Sequence, residues 1–243
     1  MTNTEILSLP PSYILTGGVF LDVPIIDSSA ELSKSAVDRG GNGVLRCQAS
    51  GAPNVTFKWF REGREITGRN STTKYRITDR RLNPLTTRSS LTVVEVEMQD
   101  YGPYGCEASN IWGSTKHQVI LSVTSKPDSP TSLEVISTTY NSVILAWQPG
   151  FDGGFQQYYR IRWDRADTEG FQFVDVYPHD ATQYEVTNLM MDTRYTFSIM
   201  AFNKLGESPY SAETASAKTT SKFYKLTRKL KSSLIQIFDE ELF

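Results

Sequence analysis

One segment, DYGPYGC at residues 100–106, constrains the fold of this chain more than any other part of the sequence. Asp100 and Gly102 are residue types that shape tight turns, because aspartate bonds nearby backbone and glycine accepts a positive φ. Tyr104 and Cys106 follow at alternate positions, so in an extended strand they share one face. The segment therefore predicts a turn that leads into a strand facing a core.

Short runs of alternating apolar and polar residues recur along the chain as far as residue 220. Three of these runs have one clearly apolar face: Val55-Phe57-Trp59, Tyr159-Ile161-Trp163 and Tyr195-Phe197-Ile199-Ala201. A period of two with one apolar face is typical of antiparallel strands that pack on one side. With 39% apolar and 21% charged residues, the composition is that of a globular chain. The pattern predicts an all-β chain built from two β-sandwiches in tandem.

The first half of the chain resembles the immunoglobulin family in its cysteine, tryptophan and tyrosine positions. The stretch from Cys106 to Gly113 is similar to a hairpin of I-set members, so we expect an I-set or C2-type domain. The resemblance implies a disulfide from Cys47 to Cys106 across two sheets, with Trp59 packed against it. It also implies that the Tyr104 hydroxyl bonds back to the backbone as a tyrosine corner. The alternative is a pair of buried thiols in a cytosolic sandwich.

Asn54 and Asn70 each begin an Asn-X-Ser/Thr sequon, in positions where loops are expected. A disulfide-bonded domain is made in the compartment where such asparagines receive glycans. We therefore predict N-linked glycosylation of both residues.

The second half contains no cysteine, so its sandwich depends on packing alone. The stretch 127–220 resembles the fibronectin type III family over its whole length. In that family a tryptophan and a tyrosine of the penultimate strand are central core residues, and a leucine and a tyrosine form a tyrosine corner. The resemblance implies that the second core is centred on Trp147, Tyr159, Leu189 and Tyr195.

Pro127 and Pro130 mark a boundary between the two halves, because proline cannot donate to a sheet ladder and restricts the residue before it. The predicted divisions are an N-terminal segment or linker at 1–30, an immunoglobulin-like domain at 31–124, a fibronectin type III domain at 127–220 and a tail at 221–243. The tail is predicted to be disordered or to form a short helix, since apolar residues recur at helical spacing. They are Phe223, Leu226, Leu230, Leu234 and Ile237.

The two halves differ in charge. Residues 31–124 carry 13 lysines and arginines against 9 acidic residues, whereas residues 127–220 carry 6 against 12. Much of the positive charge lies in one cluster: Arg61, Arg64, Arg69, Lys74, Arg76, Arg80, Arg81 and Arg88. Such a cluster is typical of a solvated sheet edge that resists pairing. The alternative is a patch for a sulfated glycan or an acidic partner, whereas the net charge of −2 gives no argument for nucleic acid.

Several segments look like nephrin and its invertebrate relatives beyond what the two domain families require. They are ASGAPNVTFKW at 49–59, SKPDSP at 125–130, WQPGFDGG at 147–154 and GFQFVDVYP at 170–178. The resemblance implies an extracellular part of a single-pass adhesion receptor, on the outer face of the plasma membrane at cell–cell junctions. It implies homophilic or heterophilic partners among cell-surface immunoglobulin-superfamily proteins. Because the partner-binding N-terminal domains of that family are missing, we expect this part to be a membrane-proximal spacer.

No pattern of catalytic residues is found in the sequence. His117 and His179 are solitary, and there is no metal-ligand spacing, phosphate loop or nucleophile motif. We therefore predict that the chain is not an enzyme and uses neither cofactor nor metal.

The N-terminal stretch 1–14 has no basic region, and no run approaches the roughly 20 apolar residues that span a bilayer. We expect neither a signal peptide nor a transmembrane helix, as in a piece of a longer protein or an incomplete gene model. The rival hypothesis is an intracellular sarcomeric protein, since giant muscle proteins also join these two domain types.

Overall fold

A computed structural model of the chain describes residues 23–50, 55–67, 74–165 and 170–221. The chain divides into two compact units between Thr124 and Ser125. Each unit consists of two β-sheets, so the predicted all-β fold with two sandwiches in tandem is confirmed. The apolar positions of the predicted tail helix lie outside the described residues.

The described part of the first unit has nine strands, one turn of α-helix and one turn of 3-10 helix. The strands are β1 (Ile25–Ile26), β2 (Lys34–Ala36), β3 (Gly43–Ser50), β4 (Thr56–Arg61), β5 (Arg64–Ile66), β6 (Tyr75–Asn83), β7 (Thr86–Val93), β8 (Gly102–Asn110) and β9 (Gly113–Ser122). The helix α1 (Ala30–Ser33) precedes β2, and the 3-10 turn (Met98–Asp100) precedes β8.

These strands form two facing sheets with the orders β1-β3-β7-β6 and β2-β9-β8-β4-β5. In the described part of this unit only β2 runs parallel to its neighbour, β9. Alternation along β3 buries Leu45, Cys47 and Ala49, because every second side chain of a strand faces the other sheet. The core between the sheets is centred on the fully buried Trp59 and Tyr104.

Eight strands lie in the part of the second unit that the structure describes: β10 (Thr131–Thr138), β11 (Val143–Gln148), β12 (Tyr158–Arg165), β13 (Phe171–Val176), β14 (Gln183–Val186), β15 (Arg194–Asn203), β16 (Gly206–Glu207) and β17 (Ala215–Lys218). One sheet has the order β10-β11-β14. The other has the order β13-β12-β15-β16, with β17 also paired to β15.

The first residues of the second unit are held by a close backbone approach. The Ser125 amide donates to the Gly153 carbonyl at 2.9 Å, and the Asn203 side chain donates to the Ser125 carbonyl at 2.8 Å. Gly153 has a φ of +73°, and a Cβ at this position would overlap the Ser125 carbonyl oxygen. A glycine is therefore required here for two reasons, its backbone conformation and the lack of space.

Candidate interaction surface

The disulfide expected from the immunoglobulin resemblance is present. Cys47 on β3 is bonded to Cys106 on β8, so the bridge joins the two sheets of the first unit, with the Cα atoms 6.4 Å apart. Trp59 lies opposite Cys106 in the register of β4 and β8. Its indole Nε1 donates to the Ser89 hydroxyl at 2.9 Å, so this buried polar atom is satisfied.

Tyr104 forms a tyrosine corner in the first unit. Its buried hydroxyl donates to the Asp100 carbonyl at 2.8 Å, and burial raises the pKa of the phenol well above its ordinary value. The Asp100 carboxylate accepts from the Glu97 amide at 2.7 Å and pairs with Lys74 Nζ at 2.5 Å. Lys74 is thus occupied by the turn that begins β8.

Arg61 is occupied by the same turn. Its guanidinium donates to three backbone carbonyls, those of Gln99, Tyr101 and Pro103, at 2.8–3.0 Å. It also lies 4.6 Å from the centre of the Tyr104 ring. Gly102 has a φ of +118°, and a Cβ there would lie 3.3 Å from Arg61 Nη1, so the turn and the arginine fit only around a glycine.

Four other arginines share the outward side of the sheet β1-β3-β7-β6, and we call this surface the arginine face. Arg46 alternates with buried residues of β3, and Arg88 alternates with buried residues of β7. On β6, Arg80 lies directly opposite Arg88, and Arg76 lies opposite Thr92, which has the same outward orientation as Arg88. Arg46, Arg76 and Arg80 are exposed, and Arg88 is half-buried.

The arginine face carries no carboxylate from its own strands. Asp79 is the only acidic residue of β1, β3, β6 and β7, and it pairs in register with the buried Ser89, on the opposite side of the sheet. Among the residues that the structure describes, none of the four arginines has an ion-pair partner. Arg88 donates instead to the neutral Gln48 amide oxygen, from Nε at 3.0 Å and from Nη2 at 2.7 Å.

The basic cluster predicted from the sequence is thus divided in space. Arg61 and Lys74 are bound within the fold, and Arg64 lies on β5 in the opposite sheet. Arg81 donates to the carbonyls of Asn83 and Pro84, and Arg69 lies outside the described residues. Arg46, which the cluster did not include, completes the face; the alternation of β3 around Cys47 was the signal that could have placed it there.

The two sequon asparagines, Asn54 and Asn70, lie outside the described residues. Their glycosylation stays a prediction.

The four residues expected at the centre of the second core are buried there. The ring centres of Trp147 and Tyr159 are 5.2 Å apart, and the Tyr159 hydroxyl accepts from Gln157 Nε2 at 3.2 Å. Burial raises the pKa of Tyr159 to about 12. Beside Leu189, the Tyr195 hydroxyl accepts from the Met190 amide at 2.8 Å.

Two arginines of the second unit, Arg160 and Arg162, are partnered, in contrast to those of the arginine face. Arg160 on β12 forms a two-pronged ion pair with Asp175, at 2.6 and 2.9 Å, and lies 4.8 Å from the centre of the Phe173 ring. Arg162 lies 3.9 Å from the centre of the Tyr210 ring and donates to the Ser198 hydroxyl. These contacts stabilise one outer sheet surface of this unit, and they leave Arg160 and Arg162 neutralised or stacked.

The described part of the chain shows no metal site. His117 Nε2 is 3.1 Å from the Ser33 hydroxyl, and no three His, Cys, Asp or Glu side chains converge as metal ligands among the described residues. Within the same residues, no helix is long and apolar enough to cross a bilayer.

Comparison with known proteins agrees with this geometry. Residues 24–110 match the model of the immunoglobulin domain, and residues 128–217 match that of the fibronectin type III domain. Human nephrin is 36% identical over 203 residues, which are 82% of this chain and 16% of nephrin. The chain is a nephrin-like member of the immunoglobulin superfamily. Rat nephrin is 38% identical over 76% of the chain.

A further similar protein carries the name of an adhesion molecule. The cell adhesion molecule Dscam2 of Drosophila melanogaster is 30% identical over 73% of this nephrin-like chain and 9% of its own length. The chain therefore spans at most 16% of the length of these relatives. Its domain types and these relatives belong to non-enzymatic families.

Solved structures add little to this comparison. A crystal structure of titin domains is 27% identical, with a TM-score of 0.36, and the match covers 82% of this chain and 68% of that one. A similarity at that score says nothing about the role of this chain.

Proposed function

We propose that this chain is a non-catalytic extracellular segment of a cell–cell adhesion or recognition receptor, and that it serves as a membrane-proximal spacer. The observation that supports the proposal most is the nephrin similarity, which runs through both domains and across the boundary between them. In the parent protein the segment lies on the outer face of the plasma membrane. The rival hypothesis, an intracellular sarcomeric protein, has no comparable support, because the Cys47–Cys106 bridge suits an oxidising compartment.

The connection between the domains supports a spacer role. The Thr124 hydroxyl donates to Asp38 in the first unit, and the next residue, Ser125, is already hydrogen-bonded within the second unit. The covalent connection therefore contains no residue that is free of both domains. A segment that only carries other domains needs no mobile linker of its own, and a short connection suits that role.

The partners of the whole receptor are, on this proposal, cell-surface immunoglobulin-superfamily proteins bound homophilically or heterophilically. The spacer itself does not supply the binding site for them. A sulfated glycan is a separate candidate ligand, for the first domain alone.

Adhesion assays with coated beads test the spacer proposal. Beads carrying the 243-residue chain should neither aggregate nor adhere to cells that express nephrin-like proteins, whereas beads carrying a complete nephrin ectodomain serve as the positive control. Soluble heparin is included throughout, so that capture by cell-surface glycans does not count as adhesion. Bead adhesion that persists in heparin would mean that the segment carries its own protein-binding site, and the spacer proposal would be wrong.

A further inference from the structure

We propose that the arginine face binds a linear sulfated polysaccharide. Its four members, Arg46, Arg76, Arg80 and Arg88, present their guanidinium groups on one side of one sheet. This inference requires the chain to lie outside the cell, as in the proposed function, but it does not depend on the spacer role.

The arginine face contains an uncompensated pair of like charges. Arg80 and Arg88 lie directly opposite each other on neighbouring strands, where like charges destabilise a sheet. No carboxylate of the four strands faces them, and Gln48 offers Arg88 only a neutral oxygen. An anion held between the two guanidinium groups would remove this repulsion, because arginine donates in a fork to planar or tetrahedral oxyanions.

The spacing of the arginines also suits an extended ligand. Arg76 and Arg80 are four positions apart on β6, and at the usual strand rise they are separated by roughly 13 Å along the strand. Hydroxyl groups of Thr78 and Ser90 lie between the arginines on the same side of the sheet, and the Thr92 hydroxyl lies beside Arg76. A row of separated cations with interspersed hydrogen-bonding groups fits a linear polymer with repeated anionic groups better than a single small anion.

The arginine face lacks the side chains that bind single-stranded nucleic acid. Single-stranded nucleic acids bind where aromatic side chains stack on their bases. No aromatic residue lies on this side of the sheet: Tyr75 is the only one in β1, β3, β6 and β7, and it pairs in register with the buried Val93. The exposed large apolar residues of these four strands are Ile25 and Leu82, and neither is aromatic. A sulfated sugar polymer needs charge and hydrogen bonds rather than stacking, which is what the face offers.

The test is heparin binding by the 243-residue chain, measured by calorimetry as a function of salt. Four contacts give a slope of log K against log salt of about −3, if each contributes roughly 0.7 as for a flexible polyanion. The variant Arg76→Ser with Arg80→Ser should lower the slope to about −1.5 and weaken binding at every salt concentration. The matched control, Arg39→Ser with Arg64→Ser, removes two exposed arginines elsewhere on the same domain and should leave the slope unchanged.

Three probes decide the class of ligand. Chemically desulfated heparin of the same length should bind far more weakly than heparin, and phosphatidylserine vesicles and a single-stranded DNA oligomer should bind less well at matched charge. Binding of vesicles or DNA as strong as that of heparin would overturn the assignment to a sulfated glycan. An equal loss of heparin affinity in the two double variants would overturn it as well. A third result is that the parent chain fails to bind heparin but self-associates, with the self-association lost in Arg76→Ser with Arg80→Ser. That result would overturn the proposal and assign the face to the acidic second domain of another copy.

Both double variants must first show the far-ultraviolet circular dichroism and the melting transitions of the parent chain. The substituted residues are exposed and unpaired among the described residues, so neither variant should lose the fold. If Arg76→Ser with Arg80→Ser does unfold, charge reversal by Arg46→Glu alone provides the same test on β3.

Discussion

Reduction of the disulfide should destabilise the first domain and leave the second unchanged. The bond from Cys47 to Cys106 closes a loop with a sequence separation of 59 residues, and the second domain contains no cysteine. In the chain-entropy model a loop of this length contributes about 4 kcal/mol, because cross-linking restricts the unfolded chain. For a domain of this size, that loss corresponds to a fall in melting temperature of roughly 15–30 °C.

The assay is differential scanning calorimetry with and without reductant, with hydrogen exchange used to assign each transition to a domain. The variant Cys47→Ala with Cys106→Ala is the matched control, since reductant should no longer move either of its transitions. A fall of the second transition equal to that of the first would refute the independence of the domains. A loss below about 1 kcal/mol in the first domain would refute the loop-entropy reasoning.

Two further predictions concern the second domain. Gly153→Ala should destabilise it by more than about 2 kcal/mol in chemical denaturation, because the positive φ alone costs about 1–2 kcal/mol and the new Cβ also displaces Ser125. Gly170→Ala is the control, because Gly170 has a φ of +95° but a Cβ there would meet no atom within 4 Å. An equal loss of stability in the two variants would mean that the close approach of Gly153 to Ser125 is irrelevant. Stability should also fall as the pH rises from 10 towards 12, since native Tyr159, with its pKa raised to about 12 by burial, keeps a proton that the unfolded chain releases. The contribution is complete below pH 10, and Tyr159→Phe should flatten the decline; an unchanged slope in that variant would contradict this assignment.

Local sequence patterns were sufficient to predict most of the framework of strands and turns. The turn at Asp100 and Gly102 and the burial of Tyr104 follow from residue types and from alternation, which act over a few positions. The disulfide and Trp59 required the resemblance to a family, because their partners are distant in sequence.

The interaction surface could be predicted only in part. A count of basic residues placed Arg61 and Lys74 in a surface cluster, whereas both are bound by the turn before β8. It also missed Arg46, because the neighbours of a strand residue depend on which strands pair and in what register. Pairing of this kind is set by contacts across the whole domain, and no local pattern around Arg80 indicates that Arg88 lies opposite.

The pairing of arginines with acidic and aromatic groups in the second domain likewise depends on strand register, which local sequence does not show. Arg160 and Asp175 lie on different strands, and only the register of β12 with β13 brings them together. The sequence could indicate two strands there, but not which side chains neutralise the charge.

Whether this chain belongs outside the cell can be decided from the intact mass of the chain secreted from eukaryotic cells behind an added signal sequence. We expect a gain of two hydrogens on reduction and a loss of glycan mass on glycosidase treatment, and the loss of glycan mass should be abolished in the variant Asn54→Gln with Asn70→Gln. A folded product with two thiols and unglycosylated asparagines would rule out the extracellular assignment and favour the intracellular muscle protein.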